Sequence, residues 1–68
     1  LKQPLVFDHP TGPIALLCDR ILRDGDKIIF EVVEGVWRGS YEPTTRTLRL
    51  DAAKPQFPAL SWTGVTPS

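Results

Sequence analysis

Bulky apolar residues in this chain fall in short runs, and each run is cut by a turn signal. Asp24-Gly25, Glu34-Gly35 and Pro43-Thr44-Thr45-Arg46 break three β-like segments in succession. Taken as two-residue hairpin turns, the first two fix a register by counting back from each reversal. Asp24-Gly25 sets Arg23 opposite Asp26, Ile21 opposite Ile28 and Leu17 opposite Val32. Glu34-Gly35 sets Val32 opposite Trp37, Phe30 opposite Gly39 and Ile28 opposite Tyr41. A four-residue loop at Pro43–Arg46 sets Tyr41 opposite Leu48 and Gly39 opposite Leu50.

In this register one face collects Leu17, Ile21, Ile28, Phe30, Val32, Trp37, Tyr41, Leu48 and Leu50. A slip of one residue in a pairing would scatter the set over both faces. The opposite face sets Glu31 against Arg38, Lys27 against Glu42 and Arg38 against Asp51, opposite-charge pairs worth about 0.2–1 kcal/mol each. Gly39 within its strand predicts a bend or a bulge. The expected fold is all-β: an antiparallel meander curled into a small barrel or sandwich. The alternative is α+β, with a helix over residues 13–23 on a three-stranded sheet. Ile14, Leu17, Cys18, Ile21 and Leu22 match a helical stripe, with Thr11 as its cap and Gly25 as its stop.

The ends are less patterned. Leu5–Asp8 is a strand candidate, broken by His9-Pro10-Thr11-Gly12-Pro13. Residues 52–59 read as a proline-containing connector, whose Pro55-Gln56-Phe57-Pro58 forms a stiff linker. Leu60–Thr63 reads as a last strand, and residues 64–68 as a frayed tail. Cys18, Leu22, Ile29, Val33 and Val36 interrupt the charged face, and the terminal strands, with Phe7 and Trp62, are expected to cover part of it.

Length and charge narrow the function. With 68 residues the chain is one domain, and at this size only about 60% of the unfolded surface is buried. The opening at Leu1, with no methionine anywhere, reads as part of a longer chain. Eight basic residues balance eight acidic ones, unlike the basic excess of dedicated nucleic-acid binders. A single cysteine forms no internal disulfide, which points to a reducing, cytoplasmic setting. No apolar run is long enough to span a bilayer, and no signal peptide is recognisable.

Chemistry is sparse. Asp8 and His9, adjacent in a strand, point to opposite sides and make a poor acid–base pair. Cys18 as a nucleophile would need nearby positive charge; Arg20 offers some, and Glu31, expected opposite, cancels it. One Cys and one His do not make a structural zinc site, Asp24-Gly25-Asp26 is turn chemistry rather than a calcium loop, and no cofactor motif is present. Arg38, Arg46 and Arg49 near Trp37 and Tyr41 suggest single-stranded nucleic-acid binding, since bases stack on aromatics while arginines follow the backbone. The register opposes this by turning both aromatics to the core. The leading expectation is therefore a non-enzymatic interaction module or accessory domain that meets a protein partner or itself through Ile29, Val33, Val36, Arg38 and Trp62. Weak nucleic-acid binding is the alternative, and an enzyme built on His9 or Cys18 comes third.

Overall fold

Two of the three reversals put their strands in the register expected from the turns, and the sheet they build is the body of the molecule. The computed structural model describes residues 1–68 and contains no helix. Seven strands follow one another: β1 Gln3–His9, β2 Gly12–Asp24, β3 Lys27–Val32, β4 Trp37–Glu42, β5 Thr47–Ala52, β6 Leu60–Trp62 and β7 Thr66–Pro67. Their order across the sheet is β6-β5-β4-β3-β2-β1-β7, every pair antiparallel. The meander curls into a half-barrel.

Val32 opposes Trp37, Phe30 opposes Gly39 and Ile28 opposes Tyr41. Tyr41 opposes Leu48, Gly39 opposes Leu50 and Arg38 opposes Asp51. At Glu34-Gly35 both central residues have positive φ, 53° and 84°, and the Val36 amide donates to the Val33 carbonyl at 3.0 Å. This is the type I′ geometry whose twist matches that of a hairpin.

The first reversal differs. Asp24 pairs with Lys27, so the turn residues are Gly25-Asp26 rather than Asp24-Gly25. Gly25, at φ 62°, takes the first central position, where a type II′ turn favours glycine. Moving the turn by one residue changes each partner by two, so the faces survive: Ile21 meets Phe30 instead of Ile28 and still points inward. A β-bulge between Cys18 and Arg20 then reverses the alternation. Upstream of it Cys18 turns inward and is fully buried, while Leu17 points outward and is 57% exposed. The expectation of Leu17 in the core is corrected by this one extra residue, and Cys18 opposes Val32 rather than Glu31.

The bulge also lets one long strand serve two neighbours. The first half of β2 pairs with β1, and the second half with β3. The β1–β2 hairpin thereby folds over the inner face of β3–β5. Phe7 lands on Phe30 and Tyr41, with ring centroids 6.4 Å and 5.1 Å away. The core is Phe7, Cys18, Ile28, Phe30, Val32, Tyr41, Leu48, Leu50 and Val65, with Ile21, Trp37 and Trp62 packed against it at partial burial. The terminal strands thus cover the inner face, not the charged one.

Residues 64–68 do not fray. Thr66 and Pro67 pair with Asp8 and Phe7, and the Ser68 amide donates to Val6 O at 3.0 Å. Val65 is fully buried; its amide donates to Arg46 O at 2.9 Å, and the Tyr41 hydroxyl donates to its carbonyl at 2.5 Å. Tyr41→Phe leaves that buried carbonyl without its partner, at a cost of about 1–3 kcal/mol. Thermal melts should show Tm lowered by roughly 4–8 °C per kcal/mol in a domain of this size. An unchanged Tm would show that the Tyr41 hydroxyl does not anchor the tail.

Candidate interaction surface

The outside of the sheet divides into two chemically different halves. Across β2–β5, Arg20, Glu31, Arg38 and Asp51 stand in one cross-strand row of alternating charge. The next row holds Leu22, Ile29, Ser40 and Arg49. The only close ion pair in this half is Arg49 with Asp51, 3.0 Å apart along β5. On the β1–β2 hairpin the same side carries Pro4, Val6, Pro13, Ala15 and Leu17, all exposed, with Asp8 as the one charge. Val6 lies beside Ala15, and Pro4 beside Leu17.

This hairpin also has a free edge. From Gly12 to Leu17, β2 has a ladder partner only in β1, because β3 reaches no further than Cys18. None of the backbone bonds made outside the ladders involves these residues. The edge strands β6 and β7, by contrast, are only 3 and 2 residues long, which limits what can pair with them.

The β3–β4 turn is held at the foot of this edge by Asp19, the residue at the bulge. Its carboxylate accepts from Lys2 Nζ at 2.6 Å and from the Glu34 amide at 2.5 Å. These two hydrogen bonds, the Lys2 one foremost, hold the Asp19 carboxyl below the usual carboxylate range. A carboxylate favoured in the folded state stabilises above its unfolded pKa of about 3.9, and that stabilisation is lost as pH falls through the lower folded value. Asp19→Ala should therefore lower Tm at neutral pH, and the gap from wild type should close below about pH 4. Melts across that range check this; a gap that persists undiminished in acid would show that the charge is not what holds the clamp.

The residues nominated from sequence do not form one patch. Val33 and Val36 lie in the clamped turn, 59% and 39% exposed. Ile29 is half-buried on the outer face, beside Leu22. With Arg20, Ile21, Phe30 and Glu31 these two line a depression of about 150 Å³, below the roughly 300 Å³ at which ligand pockets begin. Arg38 is exposed in the charged row between Glu31 and Asp51. Trp62 sits in β6 opposite Leu48, on the inner face against the core rather than on the outer surface.

The arginines are dispersed too. Arg46 is in the β4–β5 loop, and Arg49 gives its Nε and Nη2 to Asp51 at 3.0 Å each. Tyr41 is buried, and Trp37 lies on the inner face with Phe57 against it, 6.3 Å between centroids. His9 holds the β1–β2 turn, its Nδ1 2.7 Å from Thr11 Oγ1 and accepting the Thr11 amide at 3.3 Å. Burial, then the nearby Asp19, pushes the Cys18 thiol pKa up, which disfavours the nucleophilic thiolate. No group of three or more His, Cys, Asp or Glu side chains could hold a metal ion. No helix is long and apolar enough to cross a membrane.

Val33 adds a second signal. A β-branched residue at φ 53° occupies the left-handed region that such side chains rarely tolerate. Asn suits this backbone better, so Val33→Asn should stabilise the fold by about 1 kcal/mol. Chemical denaturation measures it, and a loss of stability would show that the valine side chain contributes more than its backbone costs.

Comparison with protein-family models, with curated proteins and with solved structures found no match to this chain.

Proposed function

We propose that this domain is a non-enzymatic interaction module that binds a protein partner through the outside of its β1–β2 hairpin. One observation carries this reading: the exposed apolar surface of Pro4, Val6, Ala15 and Leu17, beside an outer surface where charges interleave with Leu22 and Ile29. Exposed apolar clusters of this kind commonly mark protein-interaction sites. Val33 and Val36 border the same surface through the Asp19 clamp. The strained Val33 backbone supports a role in contact, since backbone outliers cluster at functional positions.

The test is a selection of linear peptides from a random display library against the immobilised chain. Enriched peptides should bind wild type and lose binding to the double variant Val6→Lys/Leu17→Lys. Both positions are exposed, so that variant should keep its fold, and its melting curve checks this. Absence of enrichment, or peptides indifferent to the double variant, would overturn the proposal.

A further inference from the structure

We infer that two copies of this chain pair face to face through the outer side of β2, β3 and β4, about a two-fold axis that crosses the strands along Leu22 and Ile29. This surface is separate from the β1–β2 hairpin patch and does not depend on it.

The placement of charge carries the inference. On its outer side each of the three strands holds an uncharged residue with a positive side chain to one side and a negative one to the other. Arg20, Leu22 and Asp24 follow one another on β2, and Glu31, Ile29 and Lys27 lie opposite them on β3. Arg38 and Ser40 continue the first two rows on β4. Glu42 continues the third, one step beyond the pairing of Ile28 with Tyr41. One charged row therefore reads plus, minus, plus, and the other minus, plus, minus. Cross-strand pairing explains why signs alternate within a row. It does not require one row to be the inverse of the other, since two rows of the same sense would serve the register equally well. Turned over about the central row, the face sets Arg20 on Asp24, Glu31 on Lys27 and Arg38 on Glu42 of the copy, so that every charge meets its opposite. An axis shifted by one row would instead set charges on Leu22 and Ile29.

The side chains concerned are available. The close ion pairs of the chain are Lys2 with Asp19 and Arg49 with Asp51; Arg20, Asp24, Lys27, Glu31 and Arg38 belong to neither. Leu22, 64% exposed, stands on the axis. It borders the depression of about 150 Å³ that Arg20, Ile29 and Glu31 also line, and Leu22 of the copy enters it. Burial of this apolar centre drives the pairing, while the charges around it fix its orientation.

Two observations single out a second copy as the occupant. The face is neutral overall, so it offers no net attraction to a charged partner. What matches it is a surface opposite in sign at every position, and the same face turned over is that surface. The whole chain, with eight basic and eight acidic residues, also leaves no net repulsion between copies. The half-barrel curves away at β5, which keeps Arg49 and Asp51 outside the contact. At strand and residue spacings of about 4.8 Å and 3.4 Å the face covers only about 300 Å², against roughly 800 Å² per partner in a stable complex. The dimer is therefore weak.

Sedimentation equilibrium of the 68-residue chain at millimolar concentration should show a concentration-dependent dimer, and a monomer throughout would overturn the inference. Leu22→Glu should weaken the dimer more than about tenfold, because the new carboxylates meet at the axis. A two-fold axis along the strands, between β3 and β4, also matches Glu31 with Arg38 and Lys27 with Glu42, but it sets Leu22 on Arg49. Leu22→Glu would tighten that dimer, and such a result would overturn the arrangement inferred here. Leu22→Cys reads the axis directly: mild oxidation should give a disulfide-linked dimer. The wild-type chain, whose Cys18 is fully buried, and Val6→Cys should stay unlinked. Should Leu22→Glu melt abnormally, this cross-link decides the matter. No cross-link at position 22, or equal cross-linking of Val6→Cys, would overturn the inference. So would a dimer that Val6→Lys/Leu17→Lys dissolves and Leu22→Glu spares, which would move self-association to the hairpin.

Discussion

Phe7→Ala should unfold much of the population at room temperature, while Val6→Ala, one residue away, should scarcely move the melt. Phe7 is completely buried, and its ring is what the β1–β2 hairpin sets against Phe30 and Tyr41. Truncating a core Phe to Ala removes the transfer free energy of the ring and leaves a cavity, together about 3–5 kcal/mol. At roughly 0.05–0.15 kcal/mol per residue, a domain of this length has only about 3–10 kcal/mol in total. The loss is also topological. Phe7 is the residue through which the hairpin and its paired tail grip the inner face, so the cavity opens between two layers. Val6 points outward and is 37% exposed. Urea denaturation of the two variants provides the comparison. Equal losses would mean that the hairpin is not held by this ring.

The contrast between these neighbours marks how far the sequence could be read. The β3–β4 and β4–β5 registers were legible because a Gly-containing turn and an alternating apolar pattern gave the same answer on both sides. Gly25 could serve as second residue of an Asp-Gly turn or first residue of a Gly-Asp turn, and both choices keep Ile21 on the inner face. Nothing local separates them. The bulge at Asp19 was not legible, and it explains the helical appearance of 13–23. Inserting one residue into a period of two places Ile14, Leu16, Cys18 and Ile21 inward and Leu17 and Leu22 outward. Leu17, Cys18, Ile21 and Leu22 then fall at spacings of one, three and one, which imitate a helical stripe. Phe7, expected over the charged face, and Val65, expected in a frayed tail, were misplaced for a different reason. Their segments are short and flanked by prolines or glycine, and their burial comes from folding back on a sheet formed elsewhere.

The interaction surface was legible only in part. Val33 and Val36 could be found as apolar residues flanking a turn. The free edge of β2 could not, because an unpaired edge is a property of how far the neighbouring strand extends. It becomes visible only once β3 is seen to stop at Cys18. Pro4 and Pro13 look like simple strand breakers until their places in the ladder are known. The bulge turns Leu17 outward, and the turn after Val32 ends β3 there, so apolar surface and unpaired edge fall on the same stretch of β2.

Gly39→Ala should be among the most damaging single-methyl additions in the chain, and its cost should depend on Phe30. Gly39 is buried in β4 between Phe30 and Leu50. A Cβ placed there would fall within the Phe30 ring and 2.9 Å from Leu50 Cδ2. The ladder runs through Gly39 without a bulge, and its missing side chain is the floor on which the Phe30 ring lies. Phe7 packs beside that ring, 6.4 Å between centroids, which limits how far it can move. Overpacking of this sort costs about 1–3 kcal/mol and sometimes more, well above the roughly 0.5–1 kcal/mol that Ala recovers over Gly through backbone entropy. A double-mutant cycle separates steric conflict from any general intolerance of the strand. Phe30→Leu opens a cavity that the new methyl can enter, so Gly39→Ala should cost less in that background, with a coupling of about 1–2 kcal/mol, inside the range seen for contacting residues. Strictly additive losses would mean that the penalty arises from the β4 backbone, and the account of Phe30 resting on Gly39 would have to be given up.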